Sequence, residues 1–167
     1  MADPKQGRLE TAADFNAFGL IEPLQRAVHG LGFTRPTPVQ ADALPLALAG
    51  RDVLACASTG SGKTAAFVLP MLQRLQHVKR GTTRALVLVP TRELAMQVVE
   101  HVEQLARHVP VRAAAIYGGV GMLAQERAFR RGVDILVATP GRLLDHMQYD
   151  YAALGGIEML VLDEADR

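Results

Sequence analysis

A chain of 167 residues, 49% apolar and 21% charged, with a net charge of +1, has the size and make-up of one soluble globular domain. The balanced charge excludes a global electrostatic case for nucleic acid, so any such surface must be built locally, and the lone Cys56 excludes an internal disulfide or a multi-cysteine zinc site. No apolar run approaches the ~18 residues of a membrane span, and the charged amino terminus (Asp3, Lys5, Arg8, Glu10) lacks the apolar stretch of a secretory signal, so a cytoplasmic protein without a membrane partner is expected.

Residues 1–12 are polar and read as a disordered tail, leaving 13–167 as the folded unit. From Leu20, the apolar positions Leu20, Leu24, Ala27, Val28 and Leu31 recur at helical spacing, with Gly30 and Gly32 as a stop. Thr37 followed by Pro38 reads as an N-cap with proline at the first helical position, opening a helix that carries Gln40. Strand-like apolar runs then follow at 52–57, 85–90, 111–117, 133–138 and 158–163. Helical patterns lie between them near 62–77, 91–107, 120–131 and 140–148. Cys56 falls in the first run, where a buried inert thiol is expected.

Strands with little polar alternation, separated by helices, predict an α/β domain with a parallel sheet covered on both faces. Ligands of such sheets bind beyond the carboxyl ends of the strands. Residues 58–64, Pro90-Thr91-Arg92, Gly118-Gly119, Thr139-Pro140-Gly141-Arg142 and Asp163-Glu164 all fall at that edge.

Ala57-Ser58-Thr59-Gly60-Ser61-Gly62-Lys63-Thr64 is a glycine-rich turn entering a helix. Gly60 and Gly62 let backbone N–H groups turn inward as an anion nest at a helix N-terminus. Lys63 can then reach the β- and γ-phosphates of a nucleotide, and the Thr64 hydroxyl can ligate Mg²⁺. A plain Gly/Ser connection would share this composition, and Ala57 stands where the generic phosphate loop has glycine. The strand before and the helix after supply the required context. Asp163 ends another apolar strand, suited to hold Mg²⁺ through water, and Glu164 is placed to orient or deprotonate an attacking water. A lone Asp-Glu pair is commonly a solvated acidic turn; its company here changes that reading.

Asp163-Glu164-Ala165-Asp166 spells DEAD, and residues 13–167 resemble the amino-terminal RecA-like domain of a DEAD-box ATP-dependent RNA helicase. In that family the phosphate loop begins with alanine, so Ala57 agrees with it. The resemblance implies a RecA-like P-loop NTPase fold, with ATP and Mg²⁺ as cofactors and Lys63, Asp163 and Glu164 in catalysis. Ser58, Thr59, Gly60, Ser61, Gly62, Lys63 and Thr64 would bind the nucleotide, with Thr64 and Asp163 on the metal. The stretch from Gly32 to Gln40 resembles the Q motif, which implies that the Gln40 amide pairs with the adenine edge and Phe33 stacks on the ring. Phe15, 17 positions before Gly32, matches the family's isolated upstream aromatic.

Pro90-Thr91-Arg92 resembles motif Ia, Gly118-Gly119 the paired-glycine motif, and Thr139-Pro140-Gly141-Arg142 motif Ib. The resemblance implies that these hold the sugar–phosphate backbone of single-stranded or duplex RNA. Read alone, Thr-Pro and Pro-Thr are ordinary N-caps, and Arg92 and Arg142 ordinary solvated residues. Their order and shared sheet edge favour the RNA role. Arg107, Arg112, Arg127, Arg130 and Arg131 match no motif and read as solvated faces.

The family's Ser-Ala-Thr motif and second RecA-like domain, with its arginine fingers, do not appear before Arg167. The resemblance places the Ser-Ala-Thr strand between the phosphate-loop strand and the DEAD strand, so a partial sheet lacking an internal strand is expected. Such a fragment is expected to bind nucleotide with negligible turnover, inside a parent helicase that couples ATP hydrolysis to RNA binding and local unwinding. A non-catalytic ATP- or RNA-binding module is the alternative. A small-molecule kinase would need an arginine-rich lid that is missing here and gives the Q motif no role, and the Q motif also weighs against a DNA helicase or translocase of the same superfamily.

Overall fold

The computed structural model describes residues 14–76 and 81–165. The tail expected at 1–12 and the final Asp166 lie outside them. A 3₁₀ turn at Phe15–Phe18 leads into α1 (Glu22–Gly30), α2 (Pro38–Leu48), α3 (Lys63–Leu75) and β1 (Ala85–Leu88). Then come α4 (Arg92–Leu105), β2 (Ala113–Ile116), α5 (Met122–Arg131), β3 (Ile135–Ala138), α6 (Pro140–Met147) and β4 (Met159–Leu162). The four strands form one parallel sheet in the order β2-β3-β1-β4, in the register Leu86↔Leu136, Leu86↔Leu160 and Ala114↔Leu136.

Strand residues alternate faces, and the two faces carry separate cores. Ala85, Val87, Ile135 and Val137 pack with Leu24, Leu44, Leu69, Leu72, Val98 and Val102 from α1 to α4. Leu86, Leu136, Ala138 and Ile116 pack with Phe129 of α5 and Leu143 of α6. Each fully buried Leu or Val contributes about 1.5–3 kcal/mol. This is the doubly covered α/β sheet expected from the alternation of runs and helical patterns.

At the amino ends of the strands, polar ties close the sheet. Arg84 donates two bonds to Glu158 (2.7 and 3.1 Å), fastening the start of β1 to the start of β4. The Arg112 amide donates to Asp134 Oδ2 at 2.9 Å, doing the same for β2 and β3. Gly132 ends α5 with φ +63°, and a Cβ there would sit 2.4 Å from the Gly81 carbonyl carbon. Gly132→Ala should therefore lower stability by more than about 1 kcal/mol, through both strain and overlap; the shift in urea midpoint measures it.

The expected strand at 52–57 is not formed. Residues 51–56 are exposed, Leu54 is 96% exposed, and Cys56 is exposed too, correcting the expectation of a buried thiol. A strand is held by its ladder partner, and the described residues supply none to this segment. β4 pairs with β1 alone among the described residues. Its Leu160 and Leu162, which alternation turns to the α5–α6 face, stay 58% and 57% exposed.

Candidate nucleotide site and the adjoining strand-end loops

All four strands run the same way, so the turns after β1, β2, β3 and β4 open on one edge. Residues 58–62 form the bend that enters α3. Gly60 (φ +79°) and Gly62 (φ +92°) take left-handed conformations that only glycine adopts freely. The Ser61 amide donates to the Ser58 carbonyl at 3.3 Å. Lys63 curls back so that its ammonium donates to the carbonyl of Ala57 and to that of Ser58 (3.2 Å). Carbonyl oxygens thus occupy the ammonium, and phosphate oxygens are the stronger acceptors for it.

Gln40 is almost fully buried, 4% exposed, and joins α2 to this loop. Its Nε2 donates to the Gly62 carbonyl at 3.0 Å, and its Oε1 accepts from the Thr37 amide at 2.9 Å. A Cβ on Gly62 would lie 2.4 Å from Gln40 Nε2 and 3.2 Å from Thr37 Oγ1, so only glycine fits at this contact. The Ser61 hydroxyl is buried with no hydrogen-bond partner among the described residues, while Thr37 and Gln40 close a capping box at the start of α2. An orphaned hydroxyl at an anion nest fits a polar, phosphate-bearing ligand, because buried polar atoms are rarely left unpaired. Phe33 is half-buried and faces Phe15 across 6.2 Å between ring centroids. Phe15 is 1% exposed and sits in the core, with Phe33 packed against it.

Asp163 follows β4, held there by its amide's bond to the Leu88 carbonyl at 3.0 Å. Burial raises its carboxyl above the ordinary aspartate range; the Glu164 amide, donating to Asp163 Oδ1 at 3.1 Å, and the positive charge of Lys63 pull it back. Phosphate-loop lysine and strand-end acid therefore share one electrostatic neighbourhood. Glu164 holds φ +51°, alone among the described non-glycine residues in that region. Strain of this kind in a bulky residue persists only where the surroundings enforce it. Thr64 lies in the first turn of α3, and its hydroxyl and the Asp163 carboxylate are oxygen donors of the kind Mg²⁺ prefers.

The remaining strand-end residues meet around the turn at 118–120. Thr91 caps α4, its hydroxyl accepting from the Leu94 amide at 3.2 Å, and Pro90 precedes it. Arg92 lies over the Tyr117 ring at 5.5 Å, with a guanidinium nitrogen 3.8 Å from the Cβ position of Gly119. Thr139 and Pro140 open α6, and the Thr139 amide donates to the Ile116 carbonyl at 2.9 Å. Arg142, in the same segment, has a side chain only 13% exposed. It donates to the Val120 carbonyl at 2.8 Å and stands 3.4 Å from Asp145. Gly118, Gly119, Thr91, Arg92, Pro140 and Gly141 are exposed.

Beneath this surface lies a polar group that motif reading overlooks. Gln125 is 6% exposed and His146 is fully buried, and their side chains bond at 3.0 Å. Their signal was present in the sequence: Gln125 shares the buried stripe of α5 with Phe129, four residues on, and His146 that of α6 with Leu143. Polar residues on an apolar stripe require partners. No named motif contains either.

Comparisons with known proteins agree with this geometry. The profile of the DEAD/DEAH box helicase family matches residues 37–167. The chain is 47% identical over 161 residues to the probable ATP-dependent RNA helicase DDX27 of Mus musculus, covering 95% of this chain and 21% of that protein. It is 48% identical over 160 residues to the ATP-dependent RNA helicase SrmB of Escherichia coli, covering 94% of this chain and 36% of that one. Among solved structures, the RNA helicase Prp28 of Chaetomium thermophilum bound to ADP superposes with a TM-score of 0.85 at 38% identity, over 92% of this chain and 38% of that one. The fold is the RecA-like domain of RNA helicases. This chain belongs to the DEAD/DEAH box helicase family, and it spans between about a fifth and two fifths of the length of the relatives cited.

Proposed function

We propose that this chain is the ATP-binding core of a DEAD-box RNA helicase, in which ATP hydrolysis is coupled to RNA binding and local duplex opening. The observation that carries the reading is the convergence on the amino end of α3: Gln40 bonds to Gly62, and Asp163 lies in the field of Lys63. The loops after β1, β2 and β3 present exposed glycines, Thr91 and Arg92 along the same sheet edge.

In this reading the amides of 58–64 and the Lys63 ammonium hold the triphosphate, displacing the ammonium from the Ala57 and Ser58 carbonyls. Ser61 supplies the hydroxyl that lacks a partner among the described residues. Thr64 and Asp163 hold Mg²⁺, which contributes neutralisation of charge on the β- and γ-oxygens. Glu164 orients and deprotonates the attacking water. Pro90, Thr91, Arg92, Gly118, Gly119, Thr139, Pro140 and Gly141 lie along the RNA sugar–phosphate backbone, with Arg142 fixing the glycine turn from behind. Backbone contacts carry little sequence preference.

The second RecA-like domain of the parent protein completes the catalytic centre. A cationic finger is worth on the order of 10³–10⁵ in rate in related hydrolases, so the isolated chain is expected to bind ATP with negligible turnover. RNA-stimulated phosphate release from the full-length protein, compared with that from residues 1–167, tests this. Robust RNA-stimulated turnover by the shorter chain would overturn it. Absence of ATP-analogue binding by either form would overturn the nucleotide assignment.

Gln40 also yields a prediction. Its amide offers both a donor and an acceptor, which suits adenine, and both are engaged with Thr37 and Gly62. Adenine contact requires the amide to share or exchange one of these bonds, which ties base recognition to the shape of the phosphate loop. Gln40→Ala should reduce ATP selectivity over GTP by about tenfold, the equivalent of one lost hydrogen-bond pair. Competition binding of the two nucleotides measures it, and unchanged selectivity would remove the adenine role.

A further inference from the structure

We propose that Gln125 and His146 are positioning residues that hold the Gly118-Gly119 turn at its working height, through a directional hydrogen-bond relay with Tyr151. The inference rests on the backbone-binding reading for its function, though not for its geometry.

The direction of each bond follows from chemistry. Gln125 Nε2 lies 2.9 Å from the carbonyl oxygen of Tyr117, the residue immediately before Gly118. A carbonyl only accepts, so the amide nitrogen must face it, and Gln125 Oε1 therefore faces His146 Nε2 at 3.0 Å. That ring nitrogen must carry the hydrogen. In a neutral imidazole the other nitrogen then accepts, and Tyr151 supplies its hydroxyl to Nδ1 at 2.9 Å. The relay runs Tyr151 O–H to His146 Nδ1, His146 Nε2–H to Gln125 Oε1, and Gln125 Nε2–H to the Tyr117 carbonyl.

The surroundings hold the ring neutral. Burial lowers the His146 pKa, and the Arg142 charge acts in the same direction against the weaker opposing pull of Asp145 and Glu126. Phe129 packs on the ring with centroids 5.0 Å apart, and Tyr151 meets it edge-on at 5.8 Å. A protonated ring would carry hydrogen on both nitrogens and lose the acceptor that Tyr151 serves.

The relay joins three elements. Gln125 stands on α5, the helix that follows the glycine turn. His146 stands on α6, the helix that begins at Thr139-Pro140. Tyr151 lies beyond α6, stacked on Tyr149 at 5.4 Å and 8° and covered by the Arg130 guanidinium at 5.1 Å. Arg142 holds the far side of the same turn through the Val120 carbonyl. Gly118 and Gly119 thus hang between two carbonyls, each fixed by a side chain. No Cβ stiffens the turn itself, and nothing lies within 4 Å of a Cβ at Gly118. Its position depends on these anchors.

The test uses four variants of the full-length protein. Gln125→Glu keeps the acceptor for His146 and removes the donor to Tyr117. His146→Leu removes both ring bonds. His146→Gln restores an N–H donor near the place of Nε2, and Tyr151→Phe removes a hydroxyl while keeping the ring packing. Hydrogen exchange across residues 117–120 reads the position of the turn; labelled single-stranded RNA and a labelled ATP analogue read the two ligand sites. Exchange is expected to rise in Gln125→Glu, His146→Leu and, to a lesser degree, Tyr151→Phe. RNA affinity should fall roughly tenfold in the first two, as for one displaced charged hydrogen bond, while ATP-analogue affinity is unchanged. His146→Gln should recover most of both losses. Unchanged exchange at 117–120 in Gln125→Glu and Tyr151→Phe overturns the relay, and so does an equal loss of ATP binding, which marks general destabilisation. If the wild-type protein binds no RNA, the backbone reading falls, and the exchange measurements alone decide the relay.

Discussion

Replacing Lys63 with alanine is expected to lower ATP affinity by at least about two orders of magnitude. A charge-assisted hydrogen bond contributes roughly 1.5–3 kcal/mol, and the ammonium can make two to a triphosphate, for a combined 3–6 kcal/mol. The ammonium already points into its own loop, bonded to the Ala57 and Ser58 carbonyls, so little side-chain reorganisation separates its free and bound positions. Equilibrium titration with a fluorescent ATP analogue measures the loss. Affinity close to that of the wild type would mean that the bend at 58–62 is a structural connection and not a phosphate cradle. Folding should survive the change, because Lys63 is only half-buried at the first turn of α3 while the buried face of that helix is carried by Val68, Leu69, Leu72 and Leu75.

Glu164→Gln is expected to separate binding from chemistry. A positioned general base is worth about 10²–10⁴ in rate, so RNA-stimulated hydrolysis by the full-length protein should drop by that factor. ATP affinity should hold, because Asp163 keeps its place through the bond from its amide to Leu88, and the substituted residue retains the backbone amide that bonds Asp163 Oδ1. The substitution preserves size, so the strained backbone at φ +51° is not asked to accept a new shape. Single-turnover phosphate release and analogue binding on the same preparation give the two readings. Normal hydrolysis would show that another group activates the water.

The glycine-rich bend before α3, the acidic pair and the alternation of strands and helices were legible because each rests on local chemistry. Glycine at positions 60 and 62 reports the need for positive φ, and both positions show it. Thr37-Pro38 reports a helix start, and α2 begins at Pro38. Helices expected near 62–77, 91–107, 120–131 and 140–148 appear at 63–75, 92–105, 122–131 and 140–147. The apolar segment 52–57 went the other way. Its composition suits a strand, but strand formation is a pairing event, and a run of apolar residues cannot report whether a neighbour is present. The exposure of Cys56 follows from the same cause.

Roles of polar residues were less legible than their positions. Arg142 reads as a phosphate-binding fork, yet its side chain is tied to the Val120 carbonyl and to Asp145. Phe15 matches the family's upstream aromatic, and packing places it in the core against Phe33. Gln125 and His146 carry no motif at all. Their partners, Tyr117 and Tyr151, come from a strand end and from the segment beyond α6, and a hydrogen bond across such separations leaves no spacing rule behind.

By itself the sequence determined the fold class, the family and the edge of the sheet where the motif residues gather, because periodicity, glycine placement and capping act within a few residues of one another. Only the tertiary structure decided which atoms are already committed: Gln40 to Gly62, Lys63 to its own loop, Arg142 to Val120, and Gln125 between His146 and the Tyr117 carbonyl. A donor's partner is set by what the chain brings within about 3 Å of it, and that distance is fixed by packing between elements remote in sequence.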